Sequence, residues 1–232
     1  MLNLLRLGKF QASFLPPARN MPRKTKAEAE LTRQRLLDAA ELLFLERGVS
    51  RTPLHEIAAA AGATRGAIYW HFKDKAELFN AMMERATLPL EQAFADLDRQ
   101  GVDALLRLRD LYAALLGALS ATVHDARTQR VFAIATLKIE FVSELAAVFE
   151  RRRECLQQAV AQTQQVLEAV CAATGRALPM PADQAAEALF VVFDGLISNW
   201  LIDRSRFDLQ QLGEQTLRVF FRGLGLDDLL SP

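Results

Sequence analysis

The sequence predicts an all-α fold, an N-terminal three-helix helix-turn-helix domain joined to a larger C-terminal helical domain. Three observations carry this expectation. Apolar residues recur at steps of three and four along most of the chain, the period of one helix face. No run alternates apolar and polar residues as a half-buried strand does. Helix starts and stops, such as Thr52-Pro53, Gly62, Thr64, Asp74 and Gly101, punctuate the periodic stretches.

Thr52 before Pro53 opens a first short helix, because a threonine oxygen can accept an orphan backbone N–H and proline is tolerated at the first helical position. This helix runs from about Pro53 to Ala61, with Leu54, Ile57, Ala58 and Ala61 on one stripe and His55 and Glu56 outside it. Gly62 supplies the left-handed residue that ends it. Thr64 caps a second short helix, about Arg65 to Phe72, in which Ile68 and Phe72 point inward one turn apart. Asp74 and Lys75 begin a long helix, about Ala76 to Leu97, apolar at Leu78, Phe79, Met82, Leu90, Phe94 and Leu97. Pro89 inside it removes one backbone bond and bends it. The remainder reads as five helices, roughly Val102 to Ala121, Asp125 to Lys138, Phe141 to Ala173, Ala182 to Ile202 and Leu209 to Leu224. Three domains follow: residues 1–20 as a disordered extension or mis-assigned start, 21–80 as the head, and 81–232 as the body.

Two short helices about a glycine turn form the skeleton of a helix-turn-helix that grips DNA. The candidate contacts are Thr52, Thr64, Arg65, Gly66, Ala67, Tyr69, Trp70, His71 and Lys75. An arginine at the start of a recognition helix can bond guanine O6 and N7 together, and a glycine beside it permits close approach. Tyr69 and His71 can donate to phosphate oxygens, and Lys75 adds charge to N–H groups already aimed at an anion. The alternative is that Tyr69, Trp70 and Phe72 are only the aromatic core of a small helical domain.

Ala185 to Ile202 is apolar on more than one face, so its own domain covers one side and something else the other. A second copy is the simplest cover. With the last helix, carrying Leu212, Leu217, Val219, Phe220 and Phe221, it can form a four-helix interface across a two-fold axis. Such a homodimer would place two heads about 34 to 36 Å apart, the spacing of a palindrome on one face of a duplex. Asp194 interrupts this apolar helix, where an unpaired buried carboxylate is expensive. Either it pairs with an arginine or backbone group, or it lines a cavity and meets a polar or cationic ligand; Glu140 is a weaker case of the same kind. Leu111, Leu115, Phe132, Thr136, Phe190, Phe193 and Ile197 either wall a pocket between helices or are plain core.

The head resembles the DNA-binding domain of the tetracycline-repressor (TetR) family, on Ala61-Gly62, Gly66, Tyr69, His71, Phe72, Lys75 and Leu78. The segment ahead of it resembles the first helix of that domain, with Thr32, Arg33, Leu36, Ala39, Ala40, Phe44 and Gly48 in their usual places. TRGAIYWHF is similar to the AcrR-like subgroup that represses multidrug efflux pumps, and the likeness covers nearly all of Met21 to Leu224. The resemblance implies a body that binds hydrophobic small-molecule effectors in a large pocket and dimerises, with Phe190 and Asp194 at pocket positions. Phe132 and Thr136 stand where relatives carry polar residues, and Thr87 where some carry an acid, so the ligand does not transfer.

At 51% hydrophobic the chain has enough for a real core. Its formal charge is zero, yet up to Ala86 there are 14 Lys+Arg against 9 Asp+Glu, and beyond it 14 against 19. A basic reading head on an acidic body is the electrostatic footprint expected of a partner that is double-stranded DNA. Cys155 and Cys171 lie 16 positions apart, about 24 Å along one helix, which speaks against a disulfide. With no metal-ligand spacing and no phosphate loop, neither a metal nor a cofactor is expected. No apolar run is read as long enough to span a membrane, so a cytoplasmic protein without a membrane partner is expected. In the first twenty residues Arg6 and Lys9 interrupt any signal-peptide core.

The favoured reading is a dimeric repressor released by a small apolar molecule, set against a DNA-binding organiser with no effector. An enzyme is not expected: there is no nucleophile elbow, and His55, His71 and His124 are scattered.

Overall fold

Among the residues that the computed structural model describes, 26–97, 101–140 and 143–230, the chain forms nine α-helices, two 3-10 turns and no strand. The expected extension over residues 1–20 and the start of a helix at Phe141 lie outside the described residues. The helices are α1 (Lys26–Arg47), α2 (Leu54–Ala60), α3 (Arg65–His71), α4 (Lys75–Asp96) and α5 (Ala104–His124). They are followed by α6 (Ala126–Leu137), α7 (Ala146–Thr174), α8 (Ala182–Ile202) and α9 (Leu209–Gly223).

Local chemistry sets most of these boundaries. Gly62, at φ 63°, closes α2 with paired bonds, its own N–H to the Ala59 carbonyl and that of Ala63 to Ala58. Thr64 caps α3 by accepting from the Ala67 N–H at 3.2 Å. Asp74 caps α4 at Glu77 N–H, while the Glu77 carboxylate reaches back to the Lys73 N–H at 2.7 Å. Asp103, Asp125 and Asp208 cap α5, α6 and α9 in the same way. Asp125 accepts from both the hydroxyl and the N–H of Thr128, which hold its carboxyl below its ordinary value. α4 continues as one helix through Pro89.

Two adjoining cores organise the packing. The head core holds Leu36, Phe44, Ile57, Ile68, Phe72, Phe79 and Met82, with the rings of Phe44 and Phe79 6.3 Å apart. It also takes in Val131, Ile134 and Ala135 of α6 and Val148 of α7. The body core holds residues of α4, α5, α7, α8 and α9, among them Leu108, Leu111, Leu115, Val166, Phe193, Trp200 and Phe221. α6 also sends Ala133 into the body core, and Phe132 packs against both. The head is thus completed by a helix that lies far along the chain.

Several expectations change. Thr52 does not cap α2; it is 0% exposed and its hydroxyl donates to the Gly48 carbonyl at 2.8 Å, while Pro53 takes the cap position. Of the helix expected from Phe141 to Ala173, the described part is a 3-10 turn over Ser143–Leu145 followed by α7 from Ala146 to Thr174. α8, at 21 residues, is in fact long and apolar enough to cross a membrane. Its Ala185, Ala186, Leu189, Phe193, Ile197, Trp200 and Leu201 are instead buried in protein, which is what a helix hydrophobic on more than one face requires.

Candidate nucleic-acid interface

α3 is two turns long and exposes one side. Ile68 and Phe72 point into the head core, which by helical periodicity turns the intervening residues outward. Thr64, Arg65, Gly66 and Tyr69 are exposed, Trp70 is 73% exposed, and Ala67 and His71 are half-buried. Tyr69 and Trp70 are therefore not core, whereas Phe72 is, with the Arg33 guanidinium 5.4 Å from its ring centre. The Trp70 and His71 rings meet edge to face at 4.6 Å on this outer surface. Nothing lies within 4 Å of where a Cβ on Gly66 would stand, so this face is open to a close-approaching partner.

Two of the sequence-based contacts are not on this surface. Thr52 is interior, its hydroxyl committed to Gly48. Lys75 is only 6% exposed, with its ammonium 3.0 Å from the Ser50 carbonyl and 3.4 Å from the Glu144 carboxylate. A buried ammonium must be paired, and here the pairing is internal, so the side chain is not a free phosphate contact. Lys73, between α3 and α4, is the exposed cation of this segment, its side chain 84% exposed and its ammonium 3.8 Å from an Asp74 oxygen. Its signal in the sequence is its place beside Lys75 in the same HFKDK run.

The expected pocket residues separate into two groups. Leu111, Leu115, Phe193 and Ile197 come together in the body core, with Phe132 and Phe190 packed at its edge. Phe190 stacks tilted on Phe94 of α4 at 5.7 Å. Thr136 is half-buried, and Glu140 and Asp194 lie outside this group. The Asp194 side chain is 64% exposed; it accepts from Arg152 of α7 at 3.2 Å and from the Ser198 hydroxyl at 3.4 Å. It neither suffers the expected burial nor faces the core, because the turn from Phe193 carries it about 100° around α8. Cys155 and Cys171 both lie on α7 as free thiols, and burial pushes the Cys155 thiol up.

Beyond the core, α8 and α9 leave Val191, Ile202, Leu212 and Val219 exposed. A groove of about 520 Å³ on these helices is lined by Val192, Gly195, Leu196, Asn199, Phe207 and Leu212 among others.

Comparison with known proteins accounts for both halves. Residues 36–82 match the profile of bacterial regulatory proteins of the tetR family, and 104–225 that of the MAATS-type transcriptional repressor C-terminal region. The chain is 38% identical over 194 residues to the HTH-type transcriptional regulator AcrR of Shigella flexneri, covering 82% of this chain and 88% of that protein. The crystal structure of NalD, secondary repressor of the MexAB-OprM multidrug efflux pump in Pseudomonas aeruginosa, superposes with a TM-score of 0.75. It is 37% identical and covers 86% of this chain and 98% of NalD. The SmeT–triclosan complex, from the Stenotrophomonas maltophilia repressor, is similar at a TM-score of 0.76 and 28% identity, covering 87% of this chain and 95% of that one.

Proposed function

This chain belongs to the tetR family of bacterial regulatory proteins, and we propose that it is a ligand-responsive transcriptional repressor. It binds a palindromic operator as a homodimer, works in the cytoplasm, and controls a multidrug efflux pump operon. The observation that carries the reading is the outer face of α3, where Arg65, Gly66, Tyr69 and Trp70 stand together beside the exposed Lys73. An arginine at the first turn of such a helix reads a guanine edge, and Tyr69 and Lys73 hold the phosphates on either side. The exposed apolar face of α8 and α9 is the surface for the second copy, since a covered groove costs less than an apolar one left in water.

Release follows from linkage. A hydrophobic molecule that enters the body between Phe94, Phe132 and Phe190 favours the arrangement that accommodates it, and lowers operator affinity by as much as it prefers that arrangement. NalD as an efflux-pump repressor and SmeT with bound triclosan support both the regulated operon and the class of ligand. One observation favours a second reading, a DNA-binding organiser without an effector: Leu111 and Leu115 are wholly buried among the apolar residues of the body core. The test is a footprint on the DNA flanking the protein's own gene, repeated with triclosan and a panel of lipophilic dyes and drugs. Protection lifted by a ligand upholds the repressor; protection with no ligand response and no thermal shift upholds the organiser.

A further inference from the structure

A buried ionic cluster lies at the seam between head and body, away from the reading face. Glu41 of α1 is 1% exposed, and its Oε2 accepts from Arg130 of α6 at 3.1 Å. Its Oε1 stands 3.5 Å from both Arg85 Nη1 of α4 and Arg127 Nε of α6, yet makes no hydrogen bond. One turn earlier on α1, Asp38 accepts from Arg85 Nη2 at 2.6 Å, and Arg127 lies 3.5 Å from the same oxygen. Arg85 Nη1 and Arg130 Nε are buried without a hydrogen-bond partner.

Three guanidiniums face two carboxylates in this cluster, and the bonds between them are incomplete. A carboxylate this deeply buried persists only when paired, and removing a partner is far more disruptive than removing an exposed pair. Unmade bonds among buried groups are themselves unfavourable, so a neighbouring arrangement that makes them is close in energy. Arg127 Nε stands at 3.5 Å from Oε1, about half an ångström beyond the usual N–H···O separation, so a small adjustment where α6 meets α1 completes the bond. α6, like α4 and α7, contributes to both cores, and at its far end the Lys138 carbonyl accepts from Val49 N–H of the head at 3.1 Å. The head is therefore fastened to α6 at both ends.

We propose that Glu41 is a positioning residue for DNA binding, locking α1 onto α6 through Arg130 and Arg127 so that the state of the body core is passed to α3. The inference rests on the repressor reading above. The arrangement of the two heads on an operator depends on this lock, whereas the affinity of each head for phosphates does not.

The full chain is compared with Glu41→Gln, Arg130→Met, the double variant, and Val166→Ala, a body-core change distant from the cluster. Three readouts are taken: anisotropy on a flanking duplex carrying the operator, anisotropy on a random duplex at the same salt, and amide hydrogen exchange. Each cluster variant is expected to lose tenfold or more on the operator while staying within twofold on random DNA. The double variant is expected to lose no more than either single, as coupled residues do. Exchange is expected to quicken in α1 and α6 and not in α9. Operator affinity within twofold of the parent, additive losses, or an equal loss in Val166→Ala at a matched fall in Tm overturns the proposal. Should Glu41→Gln not fold, Arg130→Met and its exchange pattern decide. If the parent itself prefers no flanking duplex, the repressor reading has failed, and unchanged exchange in α1 and α6 then separately overturns the positioning role.

Discussion

The ammonium of Lys75 sits 3.4 Å from the carboxylate of Glu144, 69 residues along the chain, and so ties the first turn of α4 to the turn ahead of α7. The Ser50 carbonyl completes its pairing at 3.0 Å. A lysine that reads in sequence as a phosphate contact is thereby a brace between the head's loop, its long helix and the body.

Lys75→Met is accordingly expected to lower stability by about 1.5 to 3 kcal/mol, the range for a hydrogen bond to a charged group. The salt slope of operator binding should remain that of the parent. Thermal melting together with salt-titrated anisotropy measures both, and a slope reduced by one at unchanged Tm would return Lys75 to the phosphate backbone.

Lys73→Ala is expected to do what Lys75 does not. It should weaken all duplex sequences alike and reduce the salt slope by about 1, because an exposed lysine releases one counterion on binding a phosphate. Arg65→Ala should cost about 1 to 3 kcal/mol and relax preference at a single base position. Competition binding over a set of single-base operator variants distinguishes the two patterns.

Asp194→Asn is expected to leave ligand-triggered release unchanged, since its carboxylate is exposed and paired with Arg152 outside the body core. Phe190→Ala opens space against Phe94 and should alter the ligand concentration needed for release several-fold while sparing operator affinity. Release titrations with triclosan compare the two directly, and a shift in Asp194→Asn alone would reverse their assignment.

Val191→Asp and Val219→Asp place a charge on the exposed apolar face of α8 and α9. Each should shift the protein to a single-chain mass in sedimentation at micromolar concentration, because a desolvated unpaired carboxylate opposes association by several kcal/mol. Operator binding should fall with dimerisation. Parent-like sedimentation of both variants would place the second copy elsewhere.

Asp125 gives a pH dependence of fixed sign. Its hydrogen bonds from Thr128 depress the folded value below the ordinary 3.8, so its contribution is complete above that value and disappears as pH falls through the folded one. Asp125→Ala should lose about 1 kcal/mol at neutral pH, the usual cost of a missing N-cap. The gap between parent and variant should narrow in acid denaturation as pH falls below 3.8. A gap constant with pH would show that charge contributes nothing to this cap.

Much of the fold is legible in the sequence because it rests on local chemistry. Thr64, Asp74 and Asp125 cap helices by bonds to residues three positions on, Gly62 turns by its own φ, and the spacing of Ile68 and Phe72 turns Tyr69 and Trp70 outward. Each depends on neighbours within one helical turn, which a linear sequence displays. α8 shows where periodicity stops helping: with apolar residues on more than one face, spacing cannot say which face is buried, and Asp194 lies on the outer one.

The linear pattern of residues is enough to give the helical class, the breaks between helices, the recognition helix and its likeness to a family of regulators. The packing of the helices alone makes Thr52 and Lys75 internal, leaves Asp194 external, and sets α6 and Glu41 to hold the head to the body. The reason is distance along the chain: Glu41 meets Arg130 89 positions away and Lys75 meets Glu144 69 away. Pairings of that span are set by how the helices stack, through burial and charge at sites that no local pattern encodes.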